Sequence, residues 1–101
     1  MKIRSHVIND GVIRLAVAGE IDLEVADDLY EALIRACHGA AGVVVDLAEV
    51  SLCDSTGIGV LVRAWSAAHR RGVDLIVINP RGIVRRSLQV TGVLDSLVRM
   101  Q

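Results

Sequence analysis

Phenylalanine is absent from this 101-residue chain, and Trp65 and Tyr30 are its only aromatic residues. A core made from it must be aliphatic. The same lack argues against base-stacking nucleic-acid modules, which need exposed aromatic platforms. An excess of either charge is lacking too: eleven Lys and Arg stand against twelve Asp and Glu. That balance leaves no basic footprint for DNA, RNA or an anionic membrane. No apolar run approaches the ~20 residues that cross a bilayer, and the opening Met1-Lys2-Ile3-Arg4-Ser5-His6 has no long apolar segment. The expectation is a soluble, cytoplasmic protein with no direct nucleic-acid or membrane partner. Cys37 and Cys53 form no CxxC pair and no zinc spacing. Each lies in or just after an apolar run, so both are expected as buried free thiols. His6, His38 and His69 show neither metal nor triad spacing, and no metal or cofactor is expected. His38 and His69 fall near expected helix C-termini, where a cation is favourable.

What the chain has is aliphatic residues in ordered patterns. Its length suits one domain over residues 1–101 with a single core. Residues 12–18 alternate, with Ile13, Leu15 and Val17 on one face and Arg14 on the other, which predicts a half-buried strand. Residues 3–8 can pair with it as a hairpin across Asn9-Asp10-Gly11. Ala26, Leu29, Tyr30, Leu33, Ala36 and Cys37 recur at helical spacing after a break in which Asp22 or a near neighbour is expected to cap the helix. The nearly continuous apolar run 43–47 suits an interior strand covered on both faces. A second helix begins near Ser55 with Ile58, Leu61, Val62, Trp65 and Ala68 on one face. Residues 73–78 read as another buried strand, broken by Asn79-Pro80. Residues 81–91 form a basic helix with Ile83, Val84 and Leu88 inward, and residues 97–100 a short edge strand. The order β-β-α-β-α-β-α-β predicts an α/β fold. Its mixed sheet has an initial hairpin, then parallel strands with helices as the crossovers.

The informative segment is Asp54-Ser55-Thr56-Gly57-Ile58-Gly59, where a buried strand meets the next helix. Asp54, Ser55 or Thr56 could each cap that helix. Gly57 and Gly59 are expected to leave its first turn bare, so that another surface can approach the backbone. A phosphate on Ser55 would sit at a helix end that favours anions and would add ~1.5–2 negative charges beside Asp54. Ordinary N-cap chemistry accounts for the same residues. Enzyme motifs do not fit them. Gly57-Ile58-Gly59 lacks the rest of a dinucleotide fingerprint, and there is no phosphate-binding GxxxxGK[ST] loop and no GxSxG elbow. Asp54-Ser55-Thr56-Gly57 has one residue too many for the Asp-Thr-Gly of aspartic proteases.

Three segments together resemble the STAS domain of bacterial anti-sigma factor antagonists. Gly19-Glu20-Ile21-Asp22 is similar to the family's Gly-Glu-Leu-Asp. Asp46-Leu47 with Asp54-Ser55-Thr56-Gly57-Ile58-Gly59-Val60 is similar to the signature after the central strand. Leu88-Gln89-Val90-Thr91-Gly92-Val93 is similar to a Leu-x-x-x-Gly-Leu near the C-terminus. The resemblance implies a STAS-like fold and a binding protein that is not an enzyme. Its unphosphorylated form would bind an anti-sigma factor, a serine kinase of the histidine-kinase-like ATPase fold, and release the sigma factor. The kinase would phosphorylate Ser55 and end that binding, and a PP2C-type phosphatase would reverse the change. Asp22, Asp54, Ser55, Thr56, Gly57, Ile58 and Gly59 are the expected partner-binding residues. The alternative within the family is a constitutive accessory subunit of an ATPase or ABC-type transport complex. A departure from relatives is Leu52-Cys53 before the signature Asp, where bulky or aromatic residues are frequent.

Overall fold

The structure, a computed structural model, describes residues 1–98. The chain opens with two antiparallel strands, β1 (Lys2–Asn9) and β2 (Val12–Ile21). Asp10 and Gly11 join them, both at positive φ (44° and 83°). A two-residue turn of that kind matches the right-handed twist of the strands it connects. Then follow α1 (Ala26–Cys37), β3 (Gly42–Cys53), α2 (Ser55–Arg70), β4 (Asp74–Ile78), α3 (Gly82–Val90) and the single turn α4 (Leu94–Leu97). The sheet order is β1-β2-β3-β4, with β3 parallel to both β2 and β4. The mixed sheet with helical crossovers is therefore as expected.

Alternation decides which face of the sheet is buried. Leu15 and Val17 of β2, Val43, Val45 and Leu47 of β3, and Leu75 and Val77 of β4 are buried in one cluster with Leu29 and Leu33 of α1 and Leu61, Ala64 and Ala68 of α2. The two helices pack against each other over this face. Val44, Ile76 and Ile78, one residue out of phase, are only half-buried. The 43–47 run is thus fully covered on one side, not two, because α1 and α2 share a side. On the half-buried face Asp46 is 4 % exposed. It is ion-paired with Arg14 and accepts hydrogen bonds from the Ala48 amide (2.9 Å) and the Asn79 side chain (3.2 Å). A buried charge needs such partners. Burial by itself pushes the Asp46 carboxyl up. The bonds from Arg14, Ala48 and Asn79, with the charge of Arg14, outweigh this and hold it below the usual carboxylate range. Asp46 so ties β2 to β3 and to the residue after β4.

Other expectations shift by small amounts with clear causes. Val84 and Leu88 of α3 point inward, but Ile83 is 58 % exposed. An inward i, i+4 pair leaves the residue just before Val84 about 100° off the buried direction. At the C-terminal end, Leu94 and Leu97 are both buried at i, i+3 spacing in α4. Leu97 therefore closes a helical turn where the sequence suggested an edge strand over 97–100. Arg99 and Met100 of that expected strand lie outside the described residues.

Both cysteines are buried and free. His38 is the C-cap of α1, and His69 lies in the last turn of α2, its ring stacked on Trp65 at 5.4 Å. Tyr30 is half-buried at the rim, under the Arg63 guanidinium at 4.4 Å from its ring centroid.

Candidate functional site

Parallel pairing of β2 with β3 brings Ile21 opposite Cys53, so both strands end at one edge. The Asp54 amide donates to the Ile21 carbonyl at 3.1 Å and extends the pairing by one step. Two loops therefore leave side by side, one led by Asp22 and one by Asp54. Carboxyl ends of parallel strands are where α/β folds place their binding sites, because side chains and helix starts converge there.

Asp54 is the N-cap of α2, with extended backbone (φ −83°, ψ −174°). A single carboxylate oxygen, Oδ1, accepts from the Gly57 amide at 3.0 Å and from the Thr56 hydroxyl at 2.5 Å. These hydrogen bonds, from the Thr56 hydroxyl first and then from the Gly57 amide, hold the Asp54 carboxyl below the usual range. Of the three residues that could have capped the helix, only Asp54 does so. Ser55 is the first helical residue and is exposed. Among the described residues nothing hydrogen-bonds its hydroxyl. Thr56, next along, is half-buried.

Gly57 and Gly59 have different surroundings. Gly57 is buried, and a Cβ there would meet Ile21 Cγ2 at 2.6 Å and Cys53 Sγ at 2.8 Å. Its small size lets α2 start directly against the ends of β2 and β3, so it serves internal packing where the sequence suggested a bare outer surface. Gly59 has nothing within 4 Å of such a Cβ and does leave the helix surface bare. Ile58 is 7 % exposed and belongs to the core. Cys53 lies beneath Gly57, its thiol pushed up to about 11 by burial and by the charge of Asp54.

Asp22 does not cap α1. Its carboxylate accepts from the Glu24 amide at 3.1 Å and its carbonyl from the Val25 amide at 3.2 Å, forming a turn before the helix. Val25 is the N-cap and contributes no side-chain bond. Asp and Asn readily close such local turns, which compete with capping. Sequence reasoning missed two apolar side chains at this edge. Leu23 is 73 % exposed in the first loop, and Leu52, paired with Glu20 across the strands, is 39 % exposed. Neither stands out in the sequence, since Leu23 lies at helical spacing before Ala26 and Leu52 two residues after Val50, so both read as core. A shallow groove of about 500 Å³ between β1 and α1, bordered by Ile3, Ser5 and Ile13, shares no residue with this edge.

The model of the STAS domain family matches residues 5–101. This chain belongs to the STAS family. The anti-sigma-B factor antagonist of Listeria monocytogenes is 38 % identical over 85 residues, spanning 82 % of this chain and 74 % of that protein. An anti-sigma factor antagonist from Mycobacterium paratuberculosis has a similar structure, with TM-score 0.75 and 27 % identity over 97 % of this chain and 84 % of the other. The Bacillus cell fate determinant SpoIIAA in its phosphorylated form shares the fold, with TM-score 0.71 and 16 % identity over 96 % and 88 % of the two chains. The resemblance read from the three segments thus corresponds to a family match along nearly the whole chain. Among the described residues no helix of this STAS domain is long and apolar enough to cross a membrane. Nor do three or more His, Cys, Asp or Glu side chains gather there as a metal site would require.

Proposed function

We propose that this STAS domain is an anti-sigma factor antagonist switched at Ser55. In its unphosphorylated form it binds an anti-sigma factor serine kinase of the ATPase fold, which then releases its sigma factor. The kinase phosphorylates Ser55 and binding ends, and a PP2C-type phosphatase restores the first form. The protein is a ligand and substrate in this cycle rather than an enzyme, and it works in the cytoplasm. One observation carries the reading: an exposed serine, its hydroxyl without a partner among the described residues, opens a helix at the edge where two strands end, directly after its capping carboxylate. Asp22, Leu23, Asp54, Thr56 and Gly59 on the two loops and the helix start around it, with Leu52 at the end of β3, make the contact surface. Gly57 and Ile58 support that surface from within.

Charge explains the sign of the switch. Phosphate adds ~1.5–2 negative charges next to Asp54, and a complex would have to strip both of water. The test is calorimetric titration of the anti-sigma partner with Ser55→Ala and Ser55→Asp. Ser55→Ala is expected to keep the wild-type affinity, and Ser55→Asp to lose ~10-fold or more, as for a charge left unpaired in an interface. Equal affinity of the two variants would contradict the reading.

A further inference from the structure

We propose that Asp54 selects the hydroxyl that receives phosphate, by keeping Thr56 in its own hydrogen bond. This rests on the reading of Ser55 as the phosphorylated residue. The first turn of α2 offers a kinase two adjacent hydroxyls of similar chemistry, and sequence alone does not separate them by reactivity. Their hydrogen bonding does. Thr56 donates its hydroxyl proton to Asp54 Oδ1 at 2.5 Å, and the same oxygen is fixed by the Gly57 amide at 3.0 Å. The carboxylate is therefore anchored to the helix backbone and cannot follow Thr56 outward. Thr56 is β-branched, so presenting its oxygen requires a change of χ1 rotamer and loss of a charge-assisted bond. An anionic γ-phosphoryl group would also have to approach an oxygen already in contact with a carboxylate.

Ser55 faces neither obstacle: it is exposed, and among the described residues nothing hydrogen-bonds its hydroxyl. In the transfer, the kinase's base takes the Ser55 hydroxyl proton and a bond forms from Oγ to the γ-phosphorus of ATP. The bond from that phosphorus to the β,γ-bridging oxygen breaks, and ADP leaves with the oxygen. Asp54 takes no part in these bonds. It is a positioning residue, and its effect is on which oxygen is reached.

The experiment incubates purified variants with ATP and the anti-sigma factor kinases encoded in the same genome, then maps phosphate by peptide mass spectrometry. Wild type is expected to carry phosphate at Ser55, and Ser55→Ala to carry none. Two double variants then unlock Thr56 while retaining a capping side chain: Ser55→Ala with Asp54→Ser, which is too short to hold Thr56, and Ser55→Ala with Asp54→Asn, which removes the charge. Phosphate at Thr56 is expected to appear in both double variants, at about tenfold or more above the detection limit that Ser55→Ala does not pass, the factor a charge-assisted hydrogen bond represents. No phosphate at Thr56 in both double variants would overturn the inference while leaving Ser55 as the site. Phosphate at Thr56 in Ser55→Ala itself would also overturn it. Absence of phosphate from Ser55 in wild type would overturn the functional reading, and this inference with it.

Discussion

The same substitution, Gly to Ala, made at Gly57 and at Gly59 should change stability in opposite directions. Both residues lie in α2, and neither has a positive φ, so backbone strain does not enter. In a helix interior Ala is favoured over Gly by ~1 kcal/mol. At Gly59 nothing opposes that gain, because a Cβ there has no neighbour within 4 Å. At Gly57 the new Cβ meets Ile21 Cγ2 at 2.6 Å, Cys53 Sγ at 2.8 Å and the Ile21 carbonyl at 3.2 Å. Ile21 is 0 % exposed and β-branched, and its carbonyl is held by the Asp54 amide, so none of these can give way freely. Overpacking costs ~1–3 kcal/mol, and contacts under 3.0 Å with groups that cannot yield put it here at ~2–3 kcal/mol. After the propensity gain, Gly57→Ala should lose ~1–2 kcal/mol while Gly59→Ala gains up to ~1 kcal/mol. At ~4–8 °C per kcal/mol for a domain of this size, the two melting temperatures should differ by roughly 5–20 °C. Urea and thermal unfolding followed by circular dichroism, with Trp65 fluorescence as a second probe, measure this. Adding Cys53→Ala to Gly57→Ala removes one obstacle and should show a favourable coupling of at least ~0.5 kcal/mol in a double-mutant cycle. Gly57→Ala as stable as wild type would show that the α2 start does not seat against Ile21 and Cys53 as described.

Three further outcomes follow from other parts of the molecule. Phosphorylated and unphosphorylated forms should keep one fold, since a helix N-terminus favours phosphate by ~0.3–1 kcal/mol and Asp54 opposes it by a similar amount. Backbone chemical shifts should then change mainly over residues 54–59 and the Glu20-Ile21-Asp22 segment, and large changes across α3 would refute the idea. Asp46→Asn should lose ~1–3 kcal/mol of stability near neutral pH, through the lost ion pair with a partly exposed Arg14 and weakened bonds to Ala48 and Asn79. Because the folded Asp46 carboxyl lies below its unfolded value of ~3.9, its stabilisation is complete above that value and fades as pH falls through the folded one. Urea midpoints of wild type and Asp46→Asn should therefore converge below about pH 4, and a gap that stays constant down to pH 3 would refute the assignment. With its thiol pushed up to about 11, Cys53 should be only ~0.1 % thiolate at pH 8 and resist iodoacetamide until the protein is unfolded. Rapid labelling of the native protein at Cys53 would contradict its burial under Gly57.

Much of this architecture is set by local pattern. The period of two in residues 12–18, the Asn9-Asp10-Gly11 turn and the helical spacing through Leu29, Leu33 and Cys37 each specify an element from neighbours alone. The run of short, strand-like segments separated by helices then fixes the parallel crossovers. The site was legible to the same extent. Asp54, Ser55 and Thr56 at a strand-to-helix junction are all caps by residue type, which places the helix start within these three residues, and the structure gives the cap to Asp54.

What local pattern left open was every choice between groups of the same chemistry. Asp22 and Asp54 are both candidate caps, but only Asp54 is at a helix start: Asp22 closes a turn three residues too early. Gly57 and Gly59 look alike in sequence, yet one abuts Ile21 and Cys53 and the other faces open space. Ser55 and Thr56 carry the same functional group, and the place of Asp54 Oδ1 together with their exposure separates them. Ile83 and Leu97 went astray for a related reason, since short apolar stretches satisfy more than one period and the long-range partner decides. The buried charge of Asp46 depends on Arg14, thirty-two residues earlier, and on Asn79, thirty-three later. Sequence determines which conformations each segment can adopt, because propensity and periodicity act over a few residues. Which atoms are then enclosed, paired or left free depends on strands and helices distant in the chain, and only the assembled tertiary structure decides it.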